Sequence, residues 1–207
     1  MMKYAIIVGV LICTLCTAGC FLLDPAPQVV PPVTQVTLPP TPESRIATVE
    51  PSGMALQLAD LPEGYVIRER SDVAYADINP LARNEGWKKG YYVAFYRMNT
   101  RNYDITGITQ QISVYPPDRI RIIFEEVKTG VESRANASVS VAELPFSKTG
   151  DRSIALRLTD TNDQYGVMTY TVIFTKKDVL EQIEMKGTTT DYEVLKNIAG
   201  TAAGKIR

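Results

Sequence analysis

The sequence predicts an α+β domain: one antiparallel sheet of about six or seven strands, with two main helices packed on one face. Three observations support this fold class. Short apolar segments separated by polar turns follow one another from about residue 65. The spacing of apolar residues changes from strand-like to helix-like twice, near residues 120 and 190. The polar connections between strands are short, which favours hairpins over crossovers.

The predicted strands are short segments rich in Val, Ile, Tyr, Phe and Thr. The segment 108–115 shows the clearest alternation, with Ile108, Ile112 and Val114 on one face. Polar connections at 99–103, 160–164 and 176–178 predict three hairpin turns. In chain order, the predicted strands cover 65–75, 87–98, 108–115, 138–144, 152–159, 165–175 and 179–185.

Two amphipathic helices are predicted. The first carries its apolar residues at the spacing i, i+3, i+4, i+7 and i+11, starting at Ile120 and ending at Val131. The pair Glu125 and Glu126 is expected on its solvent face. The second helix is expected to begin with a capping box formed by Thr190 and Glu193. Its apolar stripe is Leu195, Ile198, Ala202 and Ile206.

The three cysteines all lie near the N-terminus, at Cys13, Cys16 and Cys20. A basic Lys3, an apolar run and the small residues 17–19 precede Cys20, which is the arrangement of a secretory signal peptide. The letters TAGC resemble the lipobox of prokaryotic lipoproteins, which implies lipidation at Cys20 after removal of residues 1–19. The alternative is an uncleaved anchor, because residues 4–23 together reach the length of a transmembrane helix.

Residues 20–52 are expected to form a lipid-anchored, proline-rich linker ahead of an extracytoplasmic domain at 53–207. Eight of the thirteen prolines lie between residues 21 and 52. Such a composition favours extended polyproline II segments, which act as semi-rigid spacers.

Composition excludes several classes of chemistry. The chain has no histidine, and its cysteines lie outside the predicted domain. A Cys or His metal site and a Ser-His-Asp triad are therefore excluded there. The formal net charge is −1, so no basic patch for nucleic acid is expected. No cofactor is expected.

An aromatic cluster is the most unusual local feature of the predicted domain. It contains Trp87, Tyr91, Tyr92, Phe95 and Tyr96. Strand alternation would place Trp87, Tyr91 and Phe95 on one face and Tyr92 and Tyr96 on the other. One set would face the core. The other could serve as an apolar platform for a sugar, a peptide or a partner protein, or could pack against neighbouring strands.

Two weaker candidate sites lie in loops. Asp160, Asn162 and Asp163 begin like a calcium-binding loop, but Gln164 and the late Gly166 break the pattern, and a polar hairpin turn explains the same residues. Asn136 begins the glycosylation sequon Asn-Ala-Ser on the exported side. No pair of carboxylates with hydrolytic spacing is evident.

The predicted domain, from DLPEGYVIRERS through GWKKGYYVAFYR, ISVYP and GDRSIALRL to the last helix, resembles a broad group of uncharacterised prokaryotic surface lipoprotein domains. Its order of strands and helices also resembles the PsbP/Mog1-like fold and the extracellular sensor domains of some bacterial kinases. These resemblances imply a binding or sensing role and supply no residue to carry over as a site.

Together these features favour a non-enzymatic binding, sensing or structural module on the outer face of the cytoplasmic membrane or on the cell surface. Its expected partners are the membrane itself and an envelope protein or a glycan. The alternative is an envelope hydrolase that uses carboxylates.

The anchor hypothesis predicts that Cys20→Ala blocks maturation or releases the protein from the membrane, because the thiol is the acceptor for the lipid. Two acyl chains hold a protein firmly on a bilayer, whereas one gives only marginal binding. Metabolic labelling with an alkyne fatty acid, followed by membrane fractionation, measures both effects. Labelling that persists in Cys20→Ala would instead favour the uncleaved transmembrane helix.

Overall fold

The structure is a computed structural model that describes residues 50–101 and 104–207. All of these residues belong to one compact unit. The predictions for the signal peptide, for Cys20 and for most of the proline-rich linker lie outside the described residues. Pro51 and Ser52, which were assigned to the linker, are the first residues of a short helix.

The described chain forms seven strands and four α-helices, together with two short 3-10 turns at Leu58–Asp60 and Tyr75–Asp77. The strands are β1 Val66–Asp72, β2 Lys89–Asn99, β3 Asp104–Val114, β4 Val139–Leu144, β5 Arg152–Asp160, β6 Met168–Lys176 and β7 Val179–Gly187. The helices are α1 Pro51–Met54, α2 Pro80–Asn84, α3 Ile120–Glu132 and α4 Tyr192–Lys205.

All seven strands pair in one antiparallel sheet with the order β1-β2-β3-β7-β6-β5-β4. This confirms the predicted α+β class and the single sheet. The sheet consists of two meanders, β1–β3 and β4–β7, and α3 connects them. Because the second meander runs back toward the first, its last strand β7 pairs with β3 at the centre.

The N-terminal cap of α4 lies one residue later than predicted, at Asp191 and not at Thr190. The cap is Asp191, whose Oδ1 accepts hydrogen bonds from the backbone N–H groups of Glu193 and Val194 at 2.8 and 3.2 Å. Aspartate satisfies the free N–H groups of a first turn as well as threonine does, and its charge also suits the positive end of the helix dipole.

The two main helices lie on opposite faces of the sheet, so the expectation that both would cover one face is wrong. Helix α3 packs on a core that includes Ile173 of β6, whereas α4 packs on a core that includes the neighbouring Val172 and Phe174. Successive residues of a strand point to opposite faces. Apolar side chains of β5, β6 and β7, among them Leu156, Ile173 and Leu180, are buried on the α3 face, so that face needs a helix of its own.

On the α4 face, a buried polar network joins β3, β7 and the segment after α1. The side chain of Gln110 accepts from the Leu56 backbone N–H at 2.8 Å and donates to Oε2 of Glu181 at 2.8 Å. Glu181 is fully buried, and its other carboxyl oxygen has no hydrogen-bond partner within the described part of the chain. Lys205, at the end of α4, is paired with Asp60 at 2.8 Å. The network ties the start of the domain to the centre of the sheet.

Among the described residues, no helix has the length and apolar character that crossing a membrane requires.

The buried carboxyl group of Glu181 should make the stability of the domain depend on pH. Burial raises its pKa to about 7, against smaller opposing effects of the Gln110 hydrogen bond and of Lys205. Because the folded-state pKa lies above the unfolded one, the free energy of unfolding should fall as the pH rises from about 4.5 to about 7. Glu181→Gln should remove that fall and stabilise the protein at pH 8 by up to about 3 kcal/mol.

Urea unfolding at pH 4.5 and pH 8 measures this difference. The matched control is Glu143→Gln, which alters an exposed glutamate on β4. An equal gain in both variants would show that the effect is one of net charge and not of the buried carboxyl group.

Candidate functional site

Helix α3 covers only part of its face of the sheet. It packs against β6 and β7, and none of the described helices lies over the end of β1–β3 that contains Tyr96 on the same face. The strand register places Val66, Tyr96, Gly107 and Lys186 side by side in one row across β1, β2, β3 and β7. Met98 and Ile105 are direct neighbours in the next row.

Exposed apolar side chains are concentrated on this uncovered surface, which we call the tyrosine face. It consists of Val66, Tyr92, Tyr96, Met98, Ile105 and Tyr165. Five of the nine large apolar side chains that are exposed in the described chain lie on it; Tyr92 is half-buried. Single exposed apolar residues are normal on protein surfaces, whereas a contiguous group marks an interaction site.

A groove crosses the tyrosine face beneath the β5–β6 loop. Its apolar part, of about 540 Å³, has Gly107 and Thr109 of β3 in its floor and Tyr165 and Val167 of the loop in its wall. A more polar part, of about 640 Å³, continues toward the end of α3 and shares Val167, Glu184 and Lys186. Both volumes are in the range of small-molecule sites.

Carboxylates hold the loop that forms the groove wall. Oδ1 of Asp163 accepts from the Tyr165 backbone N–H at 3.1 Å, and Oδ2 accepts from the Val167 N–H. Oδ1 of Asp160 accepts from the Asn162 N–H at 2.9 Å. These carboxylates therefore order the loop, as in an Asx-turn. No group of three or more metal-ligating side chains occurs in the described ranges.

The charged groups at the groove are of both signs. Glu184 is paired with Arg134 at 3.7 Å, and Lys186 lies beside it in the floor. Burial raises the pKa of the Tyr92 phenol, and the nearby carboxylates of Glu69 and Glu184 raise it further against the opposing charge of Arg68. Tyr92 thus stays a neutral hydrogen-bonding phenol in the presence of these acids.

The candidate platform residues of the aromatic cluster, Trp87, Tyr91, Tyr92 and Tyr96, do not all lie together. Tyr92 and Tyr96 share the tyrosine face, whereas Tyr91 packs against the core beneath α4. Trp87 is 8% exposed and belongs to the core beneath α3. It lies in the turn between α2 and β2, two residues before β2 begins, and its backbone N–H donates to the carbonyl of Ala82 in α2. Strand alternation therefore does not extend to it.

Asn136 lies in an exposed turn between α3 and β4. Its Oδ1 accepts from the backbone N–H groups of Ser138 and Val139 at 2.8 and 3.0 Å, and its amide group donates to the Arg134 carbonyl at 3.3 Å. The side chain thus stabilises its own turn and also lines the polar part of the groove.

The sequence did not indicate Met98, Ile105 or Tyr165 as members of the site. Tyr165 was predicted as the first residue of a strand, but it lies in the β5–β6 loop and is 72% exposed beside β3. No local pattern identifies it, because β3 and this loop are more than forty residues apart in the sequence and are brought together by the pairing of β3 with β7.

Comparisons with known proteins support the fold. No family model and no curated protein matches the chain. Among solved structures, it is similar to the extracellular domain of PknH from Mycobacterium tuberculosis, with a TM-score of 0.56 and 13% sequence identity. The match covers 75% of this chain and 91% of that one. This agrees with the expected resemblance to bacterial extracellular domains at the level of fold, and the PsbP/Mog1-like resemblance stays a prediction.

Asp163→Ala should release the groove wall without unfolding the sheet. It removes a charged acceptor from the Tyr165 and Val167 N–H groups, and such hydrogen bonds contribute roughly 1.5–3 kcal/mol. Amide exchange at these two residues should therefore accelerate by about tenfold or more, with little change in Tm. Asp160→Ala is the control and should affect the Asn162 amide. A large fall in Tm for Asp163→Ala would show that the loop supports the core.

Proposed function

We propose that the domain is a non-enzymatic, extracytoplasmic binding module whose tyrosine face holds a glycan strand of the cell envelope. The observation that carries the proposal is the tyrosine face, a concentration of exposed apolar side chains of which Ile105 and Tyr165 line the groove.

The composition of the groove favours a glycan over a protein partner. Polar Thr109, Glu184 and Lys186 line the groove together with the ring of Tyr165 and the aliphatic side chains of Ile105 and Val167. The centre of a protein interface is depleted in charged residues. A sugar ring has an apolar C–H face and a rim of hydroxyl groups, so it suits a floor that mixes aromatic rings with hydrogen-bonding groups.

The proposal includes export of the domain and its anchoring to the membrane. A signal peptide at 1–19, lipid on Cys20 and a proline-rich spacer would hold the domain on the outer side of the cytoplasmic membrane, within reach of envelope polymers. The fold-level likeness to an extracellular domain is consistent with this location.

The carboxylates of the groove have roles that differ from those of a hydrolase. The carboxylate of Asp163 accepts hydrogen bonds from two backbone N–H groups, and Glu184 forms an ion pair with Arg134. General acid catalysis on a glycan needs a carboxyl group that holds a proton near neutral pH, opposite a second free carboxylate. Binding without cleavage is therefore the expected behaviour.

Tyr96→Ala and Tyr165→Ala should each weaken glycan binding by roughly five- to tenfold, which corresponds to the loss of one aromatic contact. Calorimetric titration with chitohexaose and with muramidase-solubilised peptidoglycan measures the affinity. Gly107→Leu should block the groove, because a Cβ there meets only ordinary van der Waals contacts and the side chain would point into the apolar part.

Tyr75→Ala is the matched control, since Tyr75 is 59% exposed but lies away from the groove, beside Trp87. Failure of both glycans to bind would refute the glycan proposal. Cleavage of either one, seen as new reducing ends, would establish the hydrolase alternative. A stable complex with an envelope protein that Gly107→Leu abolishes would show that the face binds protein.

A further inference from the structure

The surface beside the groove continues along β3 as a row of polar side chains. Paired residues of neighbouring strands lie side by side, and every second residue of a strand points to the same face. The apolar part of the groove is lined by Gly107 and Thr109 of β3. On the same face, two residues beyond Thr109, lies a row across β1, β2, β3 and β7 that we call the glutamine row. It consists of Ser71, Tyr92, Gln111 and Gln182.

The side chains of the glutamine row are accessible and available to a ligand. Ser71 and Gln111 are exposed, and Tyr92 and Gln182 are half-buried. None of these four side chains forms a hydrogen bond with another described residue. Accessible hydroxyl and carboxamide groups are hydrated, and a ligand with hydroxyl or amide groups of its own can replace that water without losing hydrogen bonds.

The adjacent Gln110 differs from Gln111 in having a structural role. Gln110 lies on the opposite face of the sheet, is fully buried and bonds to the Leu56 backbone and to Glu181. Gln111 and Gln182 lie directly opposite each other in the β3–β7 ladder and take part in no such network. The fold therefore does not depend on their carboxamide groups, which are free to bind a ligand.

Two tyrosines divide this surface along the strand direction. Tyr96 lies beside Gly107 and Tyr92 lies beside Gln111. The two tyrosines are four residues apart on one strand, which corresponds to about 13 Å, so one sugar ring is too short to contact both. Between them, β2 and β3 carry the small side chains of Ala94 and Thr109, which leave the path along these strands open.

Helix α3 forms a wall beside the glutamine row. Gln111 and Gln182 line a recess of about 370 Å³, and Val127 of α3 lines it as well. Glu126 also lines this recess and is half-buried, whereas the exposed Glu125 has the solvent-facing position predicted for both glutamates. A recess lets the protein surround more of a ligand than a flat sheet would.

We propose that the glutamine row is a second sugar subsite, so that the domain binds several consecutive sugar residues of a glycan strand lying along β3. The ring of Tyr92 contacts the C–H face of one sugar residue, and the carboxamides of Gln111 and Gln182 bond to its hydroxyl or acetamido groups. This inference rests on the proposed glycan function and adds to it the direction of the strand, from the groove toward Gln111.

Chitobiose and chitohexaose test the inference, because the disaccharide fills only one subsite and the hexasaccharide reaches both. In titrations of the full chain, chitohexaose should bind at least about tenfold more tightly, since it adds an aromatic contact and two carboxamide hydrogen bonds. Chitohexaose should shift the side-chain NH2 signals of Gln111 and Gln182 in NMR spectra. The side-chain signal of the buried Gln110 is the internal control and should not move.

Gln111→Ala and Gln182→Ala should each weaken chitohexaose binding by roughly three- to tenfold, the loss of one neutral hydrogen bond, at nearly unchanged Tm. Asn197→Ala is the matched control, because it removes an exposed carboxamide from α4 on the other face. Equal affinity for the two oligosaccharides, or full affinity in both glutamine variants while Tyr165→Ala still weakens binding, would overturn the second subsite and leave the glycan proposal intact. Failure of both oligosaccharides to bind would refute the glycan proposal and this inference with it.

Discussion

The pairing of β3 with β7 is the constraint on which the rest of the structure depends. These strands are separated by more than sixty residues, and their ladder joins the two meanders into one sheet. The approach is close enough that a Cβ at Gly187 would meet the Ile105 carbonyl oxygen at 2.0 Å. Across the same pair, Gln110 bonds to the buried Glu181 and to the backbone of Leu56, so the junction also holds the start of the domain.

The helices cover the two faces of the joined sheet to different extents. On one face, α1 lies over β2 and β3 and α4 lies over β6 and β7, so the core there is continuous across the junction. On the other face, α3 covers β6 and β7, and α2 with its preceding turn covers only the near end of β3. The part of this face that no described helix covers is the tyrosine face. The candidate site therefore results from incomplete helix cover on one side.

The candidate site was only partly predictable from the sequence. Alternation along β2 correctly separated Tyr92 and Tyr96 from Phe95, because the strand is regular through those positions. The same alternation failed at Trp87, which lies in the turn before the strand and packs under α3. Tyr165 carried no sequence signal, because it is placed by a loop that folds over a distant strand.

The sequence by itself determined the elements and their class. Seven strands and two main helices lie close to where apolar periodicity and turn residues predict them, since these signals depend on neighbours within a few positions. The tertiary structure alone decided the central β3–β7 pairing and the placement of α3 and α4 on opposite faces. Apolar residues are buried on both faces of the sheet, and their pattern along the chain does not specify which face each helix covers. That choice depends on burying both faces at once, a condition of the whole chain that no local segment encodes.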